Sequence, residues 1–371
     1  MSRESDTASP NPDRTTGIEI SDPAVMNKRP LVSVHMITYN HEPYIAQAIE
    51  GVLMQETAFP VELVVGEDCS TDRTREIVLD YQRRRPDFIR VLTTEHNVGM
   101  MGNSLRTAYA CRGKYIAFCE GDDYWHRPRK LEKQVSVLES DPAVGLVDSG
   151  YDLHFIDTGR RSRWYPVPEK RSTYKDKFTM MLTRAYQYPH ICTVCIRRDL
   201  LLSIYRDSPD AFSYEFLMAD TQVWLEASRR AEMRRIGESL AVHNILPESV
   251  AHSRDPRRAV EFTRSGCKLL LKYAEKYNCP SDVKDAIILR HYRRLLRIAS
   301  ESRDVELARE ASGKLEETRG RLTVRESLLL CGTTNTGVRQ LLRLARGVRP
   351  MLRRAMPTTA IAALKRLRPS H

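Results

Sequence analysis

The chain has 371 residues and a formal net charge of +11 at pH 7, which is enough length for two domains. The charge is uneven: residues 327–371 contain nine Arg or Lys and no Asp or Glu, which leaves about +2 for residues 1–326. A nucleic-acid-binding protein more often carries a basic stripe through its folded part. The distribution therefore argues against nucleic acid as a partner.

The N-terminal segment, residues 1–29, is rich in Ser, Asp, Thr and Pro and lacks the apolar centre of a signal peptide. We expect it to be disordered. No apolar run approaches the roughly 20 residues that cross a bilayer. The eight cysteines are scattered, and the CxxC pair Cys192 and Cys195 has no second pair to complete a zinc site. These features predict a cytoplasmic protein with reduced cysteines in its core.

Short apolar runs alternate with helical patterns from Leu31 to Gly150. The runs cover 31–37, 61–66, 89–94, 114–119 and 144–149. Their Val and Ile content suits strands that are buried on both faces. Segments such as "EPYIAQAIEGVLMQ" lie between them and space their apolar residues as one face of a helix. This alternation predicts an α/β domain with a mainly parallel sheet, for which we expect bounds of 30–250.

The second half of the chain has a different pattern. Strands are expected near 151–156, 191–196 and 238–245, and a helix near 221–231. From Asp255 onward the pattern is helical, without the fixed period of a repeat solenoid. We therefore expect a helical extension over 251–326, followed by a basic amphipathic tail over 327–371.

Acidic residues follow two of the predicted strands. Glu67 and Asp68 end one, and Glu120, Asp122 and Asp123 end another. In open α/β sheets the ligand crevice lies outside the carboxyl ends of the strands. A hard divalent cation such as Mg²⁺ would relieve the repulsion and leave room for substrate phosphates. Each residue could instead cap a helix or stabilise a turn, but two acidic strand ends on one sheet favour a metal–diphosphate site.

Other catalytic signatures are missing from the sequence. It contains no GxGxxG after a strand, no GxxxxGK[ST], no HExxH and no GxSxG. This argues against a dinucleotide dehydrogenase, a P-loop kinase, a zincin and an α/β-hydrolase.

Four motifs in order, "VSVHMITYNHEPYIAQAI", "VVGEDCSTDRT", "EHNVGMMGNSLRTAYACRGKYIAF" and "CEGDDYWHRPRKLEKQ", resemble the family 2 glycosyltransferases of the GT-A fold. The resemblance covers roughly residues 32–250. It implies a GT-A nucleotide-diphospho-sugar transferase fold, a Rossmann-like mixed sheet, with the helical C-terminal extension outside it. It also implies a nucleotide-sugar donor, a Mg²⁺ or Mn²⁺ ion and inversion at the anomeric carbon.

The same resemblance assigns roles to individual residues. It places Thr38 and Tyr39 along the nucleoside and Asp68 on the base. The segment lining the nucleotide pocket contributes Asn97, Gly99 and Asn103, although Gly99 could be an ordinary turn glycine. Glu120-Gly121-Asp122 takes the position of the DxD motif. Asp122 is then the expected contact to the metal and the diphosphate, and Glu120 a second metal ligand.

For the catalytic base, the resemblance points to Asp220 in "FLMADTQVWLEASRR", just before a predicted helix. A carboxylate there can accept the proton of the acceptor hydroxyl. The alternative is that Asp220 is the N-cap of that helix. His190 could line the acceptor cleft or be a buried structural histidine, and His243 could be a satisfied core or rim histidine.

The leading hypothesis is therefore an inverting sugar transferase that acts on a glycan or lipid-linked acceptor in surface-polysaccharide assembly. A sugar nucleotidyltransferase is an alternative, but its glycine-rich first loop is missing, because "MITYNHEPY" has no Gly. A catalytically inactive GT-A module that binds a glycan or a protein partner is a third. Donor base, preferably uridine, and acceptor stay open.

The basic tail suggests a location. Its nine basic residues are interleaved with leucines and divided by Pro350, Pro357 and Pro369, so it could lie in a membrane interface without spanning it. This predicts attachment to an anionic membrane surface, on the inner face of the cell membrane. The alternative is a helical segment packed on residues 255–317 with solvated arginines.

Overall fold

The computed structural model describes residues 17–164, 175–208, 216–246 and 255–338. The chain forms two compact units, residues 1–252 and 253–371. Strands are confined to the first unit among the described residues.

The first unit combines strands and helices in alternation. Its strands are β1 (Ile18–Ile20), β2 (Val32–Thr38), β3 (Val61–Glu67), β4 (Ile89–Thr93), β5 (Tyr115–Phe118), β6 (Tyr124–Trp125), β7 (Val144–Phe155), β8 (Arg160–Trp164), β9 (Cys195–Arg197) and β10 (Glu232–Ile245). Its helices are α1 (Pro23–Met26), α2 (Ile45–Leu53), α3 (Thr74–Arg84), α4 (Gly99–Ala110), α5 (Lys130–Ser140), α6 (Lys177–Leu182), α7 (Arg198–Asp207) and α8 (Ala219–Arg230).

Within the described residues the ten strands form one mixed sheet in the order β1-β4-β3-β2-β5-β9-β7-β10-β6, with β8 beside β7. Strands β4, β3, β2 and β5 run parallel, as do β7 and β10. Strand β9 separates these two groups and is antiparallel to both neighbours. The predicted mixed α/β architecture is confirmed. Because β2, β3 and β5 are parallel, their carboxyl ends lie at the same edge of the sheet, where ligands bind in open α/β sheets.

The core lies between the sheet and the helices that cover it. All seven residues of β2 are buried, as expected for a strand with helices on both faces of its sheet. Helix α2 packs Ile45, Ile49 and Val52 against it, at the spacing of one helical face. The apolar periodicity of this part of the sequence therefore has a direct counterpart in packing.

The predicted disorder of residues 1–29 is wrong for residues 17–29. Strand β1 pairs antiparallel with β4 at the edge of the sheet. Glu19 accepts a hydrogen bond from Arg90 Nε at 2.8 Å, and Val25 is buried. A polar, short segment of this kind is ordered by the existing sheet edge and a buried cation rather than by its own composition. Residues 1–16 lie outside the described residues.

Two other local predictions need correction. The runs at 144–149 and 151–156 are one continuous strand, β7, because its outer half pairs with β8 and β10. The strand expected at 191–196 begins only at Cys195, after a 3-10 turn at Ile191–Thr193. That turn places His190 and Cys192 beside the carboxyl end of β5 instead of in a ladder.

The second unit is helical over its described residues, 255–338. It contains α9 (Pro256–Lys276), α10 (Ser281–Ser302), α11 (Val305–Arg319) and α12 (Val324–Thr334). The predicted boundary at residue 326 is wrong, because it falls inside α12, which packs Leu329 into the helical core. No helix of the described residues has the length and apolar character to cross a membrane. All nine basic residues of the predicted tail lie beyond residue 338, outside the described residues.

Candidate active site

The carboxylate cluster sits where β5 ends. Ligand oxygens of Glu120, Asp122 and Asp123 lie within 4.8 Å of one another. The chain reaches this position by continuing beside β2, since the Gly121 N–H donates to the Ile37 carbonyl at 3.0 Å. A Cβ at Gly121 would lie 2.7 Å from Thr38 Oγ1, so only glycine allows this approach. Close packing of two strand ends therefore brings the three carboxylates together.

Burial and mutual repulsion act on two of these carboxyl groups. Burial, followed by the charges of Asp122, Asp123 and Asp220, raises the pKa of Glu120 well above its ordinary value. Burial and the neighbouring Asp123 likewise raise the pKa of Asp122. Without a cation, the repulsion between anionic oxygens this close favours the protonated form of the carboxyl groups. The donor set, carboxylates only, is the one that Mg²⁺ and Mn²⁺ prefer.

Asp123 is held differently from its two neighbours. It accepts hydrogen bonds from His243 Nδ1 at 2.9 Å and from the Asn244 N–H at 3.0 Å. Although burial raises the pKa of Asp123, the charge and hydrogen bond of His243 hold it below its ordinary value. The Asn244 amide also donates to the Asp122 carbonyl at 2.5 Å. Strand β10 thus clamps the turn that presents Asp122.

Two buried polar atoms beside the cluster have no hydrogen-bond partner among the described residues. They are Thr38 Oγ1, at the end of β2, and His41 Nδ1. Both face the Cβ position of Gly121, at 2.7 and 2.9 Å. A buried polar atom without a partner is costly unless a ligand completes it. The residues present therefore fit a cation or a polar ligand at this edge of the sheet.

Asp220 lies close to the cluster, since its charge contributes to the raised pKa of Glu120. It is not an N-cap: α8 begins at Ala219, and its N-cap position is Met218. Oδ1 of Asp220 accepts from the Thr221 N–H at 2.8 Å. Burial raises the pKa of Asp220. The predicted capping alternative is therefore wrong, and the carboxylate is in the first helical turn.

Aromatic packing explains how α8 reaches the carboxylates. Trp224, one turn after Asp220, is buried and packs edge-on against Phe118 of β5, with ring centroids 6.0 Å apart. Phe118 in turn packs against His35 of β2 at 4.9 Å. Since Phe118 lies two residues before Glu120, this contact holds the start of α8 next to the cluster.

The predicted nucleotide-binding residues divide into two groups. Asp68 and Asn103 are buried and engaged within the protein. Asp68 accepts the Val98 and Gly99 N–H groups at 2.9 and 3.0 Å, and Asn103 Nδ2 donates to the Gly66 carbonyl at 2.8 Å. These two side chains hold the β3 end against the start of α4.

The second group faces outward or lies at the rim. Tyr39 is 42% exposed at the end of β2. Asn97 donates to the Asp68 carbonyl and accepts the Gly99 N–H at 2.9 Å. Gly99 has a φ of +80°, so the glycine is required by the backbone and not only by a turn. The loop 97–99 is thus preorganised in front of α4.

Sequence reasoning missed two residues at this site. His41 contributes one of the two unpartnered buried atoms, and Asn244 clamps the Asp122 turn. Asn244 has no local signal, because its contact with Asp122 spans 122 positions of sequence. The sequence indicated a role for this residue only through the position of His243-Asn244 at the end of the last predicted strand. No prediction assigned a role to His41.

Comparison with known proteins agrees with this geometry. Residues 33–201 match the sequence model of the family described as Glycosyl transferase family 2. The chain is 30% identical over 208 residues to the putative teichuronic acid biosynthesis glycosyltransferase TuaG of Bacillus subtilis, covering 52% of this chain and 79% of that protein. The chain belongs to glycosyltransferase family 2.

Other relatives of this family 2 protein extend the comparison. An uncharacterized protein of Mycobacterium tuberculosis, Rv1520, is 37% identical over 227 residues, which is 60% of this chain and 61% of the relative. The match thus spans less than two thirds of that relative. A solved structure of the mannosyltransferase PcManGT from Pyrobaculum calidifontis, with GDP-Man and Mn²⁺, has a TM-score of 0.53 and 17% identity, covering 89% of this chain and 86% of that one. The fold is the GT-A fold.

Proposed function

We propose that the protein transfers a sugar from a nucleotide-diphosphate sugar to a glycan or lipid-linked acceptor, with inversion, in surface-polysaccharide biosynthesis. The observation that carries the proposal is the carboxylate cluster at the end of β5, next to which the packing of Trp224 on Phe118 holds the start of α8 with Asp220. One group can activate an acceptor while the other holds a cation and diphosphate. The name of TuaG, a putative teichuronic acid biosynthesis glycosyltransferase, supports the polysaccharide context.

Asp122 and Glu120 are the residues that would hold a Mg²⁺ or Mn²⁺ ion. Such an ion neutralises the charge that develops on the departing diphosphate. Asp123 accepts hydrogen bonds from His243 and Asn244, which keep the Asp122 turn in place. The PcManGT structure, which contains Mn²⁺, supports a divalent ion in a protein of this fold.

Asp220 is the proposed base. Its Oδ1 accepts the Thr221 N–H, which fixes the carboxylate that would accept the proton of the acceptor hydroxyl. Burial raises the pKa of this carboxyl, which makes it a stronger base than an exposed aspartate. A carboxylate base opposite the leaving group is consistent with single displacement and inversion.

The nucleoside would lie along Thr38, Tyr39 and the loop containing Asn97 and Gly99. Tyr39 offers an exposed ring for stacking, and Thr38 Oγ1 is buried without a partner among the described residues. Asp68 and Asn103 would contribute indirectly, because their hydrogen bonds hold this loop and the end of β3 in place. We favour a uridine nucleotide, with guanosine as the competing base because PcManGT was solved with GDP-Man.

Two alternatives make different predictions. A sugar nucleotidyltransferase would release diphosphate from a nucleoside triphosphate and a sugar phosphate. An inactive binding module would bind a nucleotide sugar or glycan and release nothing. The raised pKa of Asp220 favours the transferase, because a binding module has no need of a buried base beside the cation site.

A donor-hydrolysis screen tests the proposal. The full chain is incubated with Mn²⁺ and a panel of UDP-, GDP- and dTDP-sugars, and released nucleoside diphosphate is measured. We expect slow, Mn²⁺-dependent release from one donor and acceleration when an acceptor is supplied. Release of inorganic diphosphate from a triphosphate, or no release from any donor despite binding, would support the alternatives instead.

A further inference from the structure

A second set of metal-ligand atoms lies on the other side of Asp123. A carboxylate oxygen of Asp123, Nδ1 of His190 and Sγ of Cys192 all lie within 4.8 Å of one another. His190 Nδ1 is 3.2 Å from Cys192 Sγ and 3.9 Å from Asp123 Oδ2. None of the sequence motifs brings these three residues together.

The fold holds each of the three atoms in place. His190 and Cys192 flank the first residue of the 3-10 turn, and the Cys192 carbonyl accepts the Trp125 indole N–H at 2.9 Å. The ring of Tyr151 packs against His190, with centroids 4.8 Å apart. His243 Nδ1 lies 2.9 Å from Oδ1 and 3.2 Å from Oδ2 of Asp123, and Oδ2 lies 3.9 Å from His190 Nδ1. Supporting contacts of this kind are what orient ligands around a metal.

The donor types differ from those of the carboxylate cluster. One sulfur, one imidazole nitrogen and one carboxylate oxygen are the set that Zn²⁺ binds, whereas Mg²⁺ takes oxygen ligands. Ligands about 2.0 to 2.3 Å from a tetrahedral zinc ion stand about 3.3 to 3.6 Å apart. The separations of 3.2 and 3.9 Å are close to these values. The third separation, between Cys192 Sγ and an Asp123 oxygen, is within 4.8 Å.

We propose that Asp123, His190 and Cys192 form a Zn²⁺ site, separate from the Asp122–Glu120 cation site, with three protein ligands and one open position. His243 is the residue that orients Asp123 in it. The side chain of His190 is 22% exposed, so an ion can reach this ligand from solvent.

The proposed zinc site borders the proposed cation site. Asp123 is adjacent to Asp122 and shares the carboxylate cluster. Zinc binding to Asp123, His190 and Cys192 can nevertheless be tested independently of sugar transfer.

Cobalt titration tests the site without any enzyme assay. Metal-free full-length protein is titrated with Co²⁺ in the presence of excess Mg²⁺, which occupies oxygen-only sites. We expect one Co²⁺ per chain, a thiolate-to-cobalt charge-transfer band in the near ultraviolet, and loss of the band when Zn²⁺ is added. Cys192→Ser should abolish the band. Cys195→Ser is the matched control, a buried cysteine three residues away that is not in the ligand set, and it should leave the band unchanged.

Two further variants separate the possible outcomes. Asp122→Asn should keep the band, because Asp122 belongs to the other site. His190→Gln, whose amide reaches the Nε2 rather than the Nδ1 position, should weaken Co²⁺ binding at least about 10-fold while circular dichroism shows an intact fold. No thiolate band in the unmodified protein, a band that survives in Cys192→Ser, or unchanged affinity in folded His190→Gln would overturn the proposal.

Discussion

Adjacent carboxylates can take opposite roles when their surroundings differ. Asp122 has a raised pKa because it is buried beside another carboxylate. Asp123, the next residue, has a lowered pKa because His243 offsets its burial. The first is suited to receive a cation, and the second is suited to hold the turn that presents it. Individual side chains in the cluster should therefore respond differently to substitution.

Asp122→Asn should lower donor hydrolysis by about 100-fold or more, because it removes a charge from the cation site while keeping side-chain size. Metal-dependent binding of nucleoside diphosphate, measured by calorimetry, should weaken in parallel. Asp80→Asn, in an exposed i,i+4 ion pair on α3, is the control and should change neither quantity. Unchanged turnover and nucleotide affinity in Asp122→Asn would remove this residue from the cation site.

Asp220→Asn should reduce turnover by about 10²- to 10⁴-fold while donor binding survives, because the amide cannot accept a proton. Stability should change little, since the amide oxygen can still accept the Thr221 N–H. The matched control is Asp199→Asn, another aspartate in the first turn of a helix but an exposed one. Near-normal turnover in Asp220→Asn would mean that the base lies elsewhere.

Metal stabilisation should grow with pH. The folded-state pKa values of Glu120 and Asp122 are raised, so without metal these groups cost stability as the pH rises above their ordinary values of 4.5 and 3.8. A bound cation removes that cost and competes with protons for the same oxygens. The increase in melting temperature caused by Mn²⁺ should therefore be larger at pH 7.5 than at pH 5.5. A pH-independent increase, or the same pH dependence in Asp122→Asn, would contradict this.

At the scale of a single element, α12 shows how one carboxylate ends a loop and begins a helix. Thr323 and Glu326 form a capping box, in which the Thr323 N–H donates to Glu326 Oε2 at 2.7 Å. Glu326 also bonds to Arg293 at 2.6 Å and to Arg319. These contacts to the buried Glu326 hold α12 in the helical core past residue 326, where the sequence pattern suggested that a tail begins.

Glu326→Gln should destabilise the second unit by about 2 kcal/mol at pH 7, because Gln keeps the capping box but loses the charge facing two arginines. Burial raises the pKa of Glu326, but the Thr323 N–H and the two arginines outweigh it and lower the pKa to about 2. The stabilisation is therefore present above pH 4.5 and is lost as the pH falls toward 2. The difference between the two proteins should disappear over that range.

Urea unfolding followed by circular dichroism measures this change. Tryptophan fluorescence serves as an internal control, because the three Trp residues, at 125, 164 and 224, all lie in the first unit. Glu317→Gln removes an exposed i,i+3 partner of Lys314 and should cost well under 1 kcal/mol. Equal effects of the two substitutions would mean that the buried charge contributes nothing.

At the scale of the whole molecule, the uneven charge makes a prediction about location. We propose that the segment after residue 338, with nine basic and no acidic residues, attaches the protein to an anionic membrane surface. Each basic residue near such a surface contributes about 1 kcal/mol. The full chain should float with anionic vesicles at low salt and be released at high salt. A lipid-linked acceptor would make this placement useful.

The comparison protein for that experiment ends at Val338, so that α12 stays whole. It should remain in the bottom fraction and keep its donor hydrolysis. Neutral vesicles should bind neither protein. Equal flotation of both proteins would show that the segment beyond residue 338 is not the anchor.

Patterns of consecutive residues were enough to predict the central strands and the family. Strands β2 to β5 are buried on both faces, and such burial leaves an apolar run that can be seen without any partner. The carboxylates after β3 and β5 were equally visible, because chain direction alone places parallel strand ends at one edge. The edge strand β1 was missed, since its order depends on pairing with β4 and on Arg90.

The roles of the carboxylates depend on contacts between distant parts of the chain. His243 meets Asp123 across 120 positions, and the Val98 N–H meets Asp68 across 30. These contacts turn Asp68 inward and give Asp123 a pKa unlike that of Asp122. A pKa or a ligand geometry is set by which charges and donors lie within a few ångströms. Folding, and not sequence spacing, decides which groups those are.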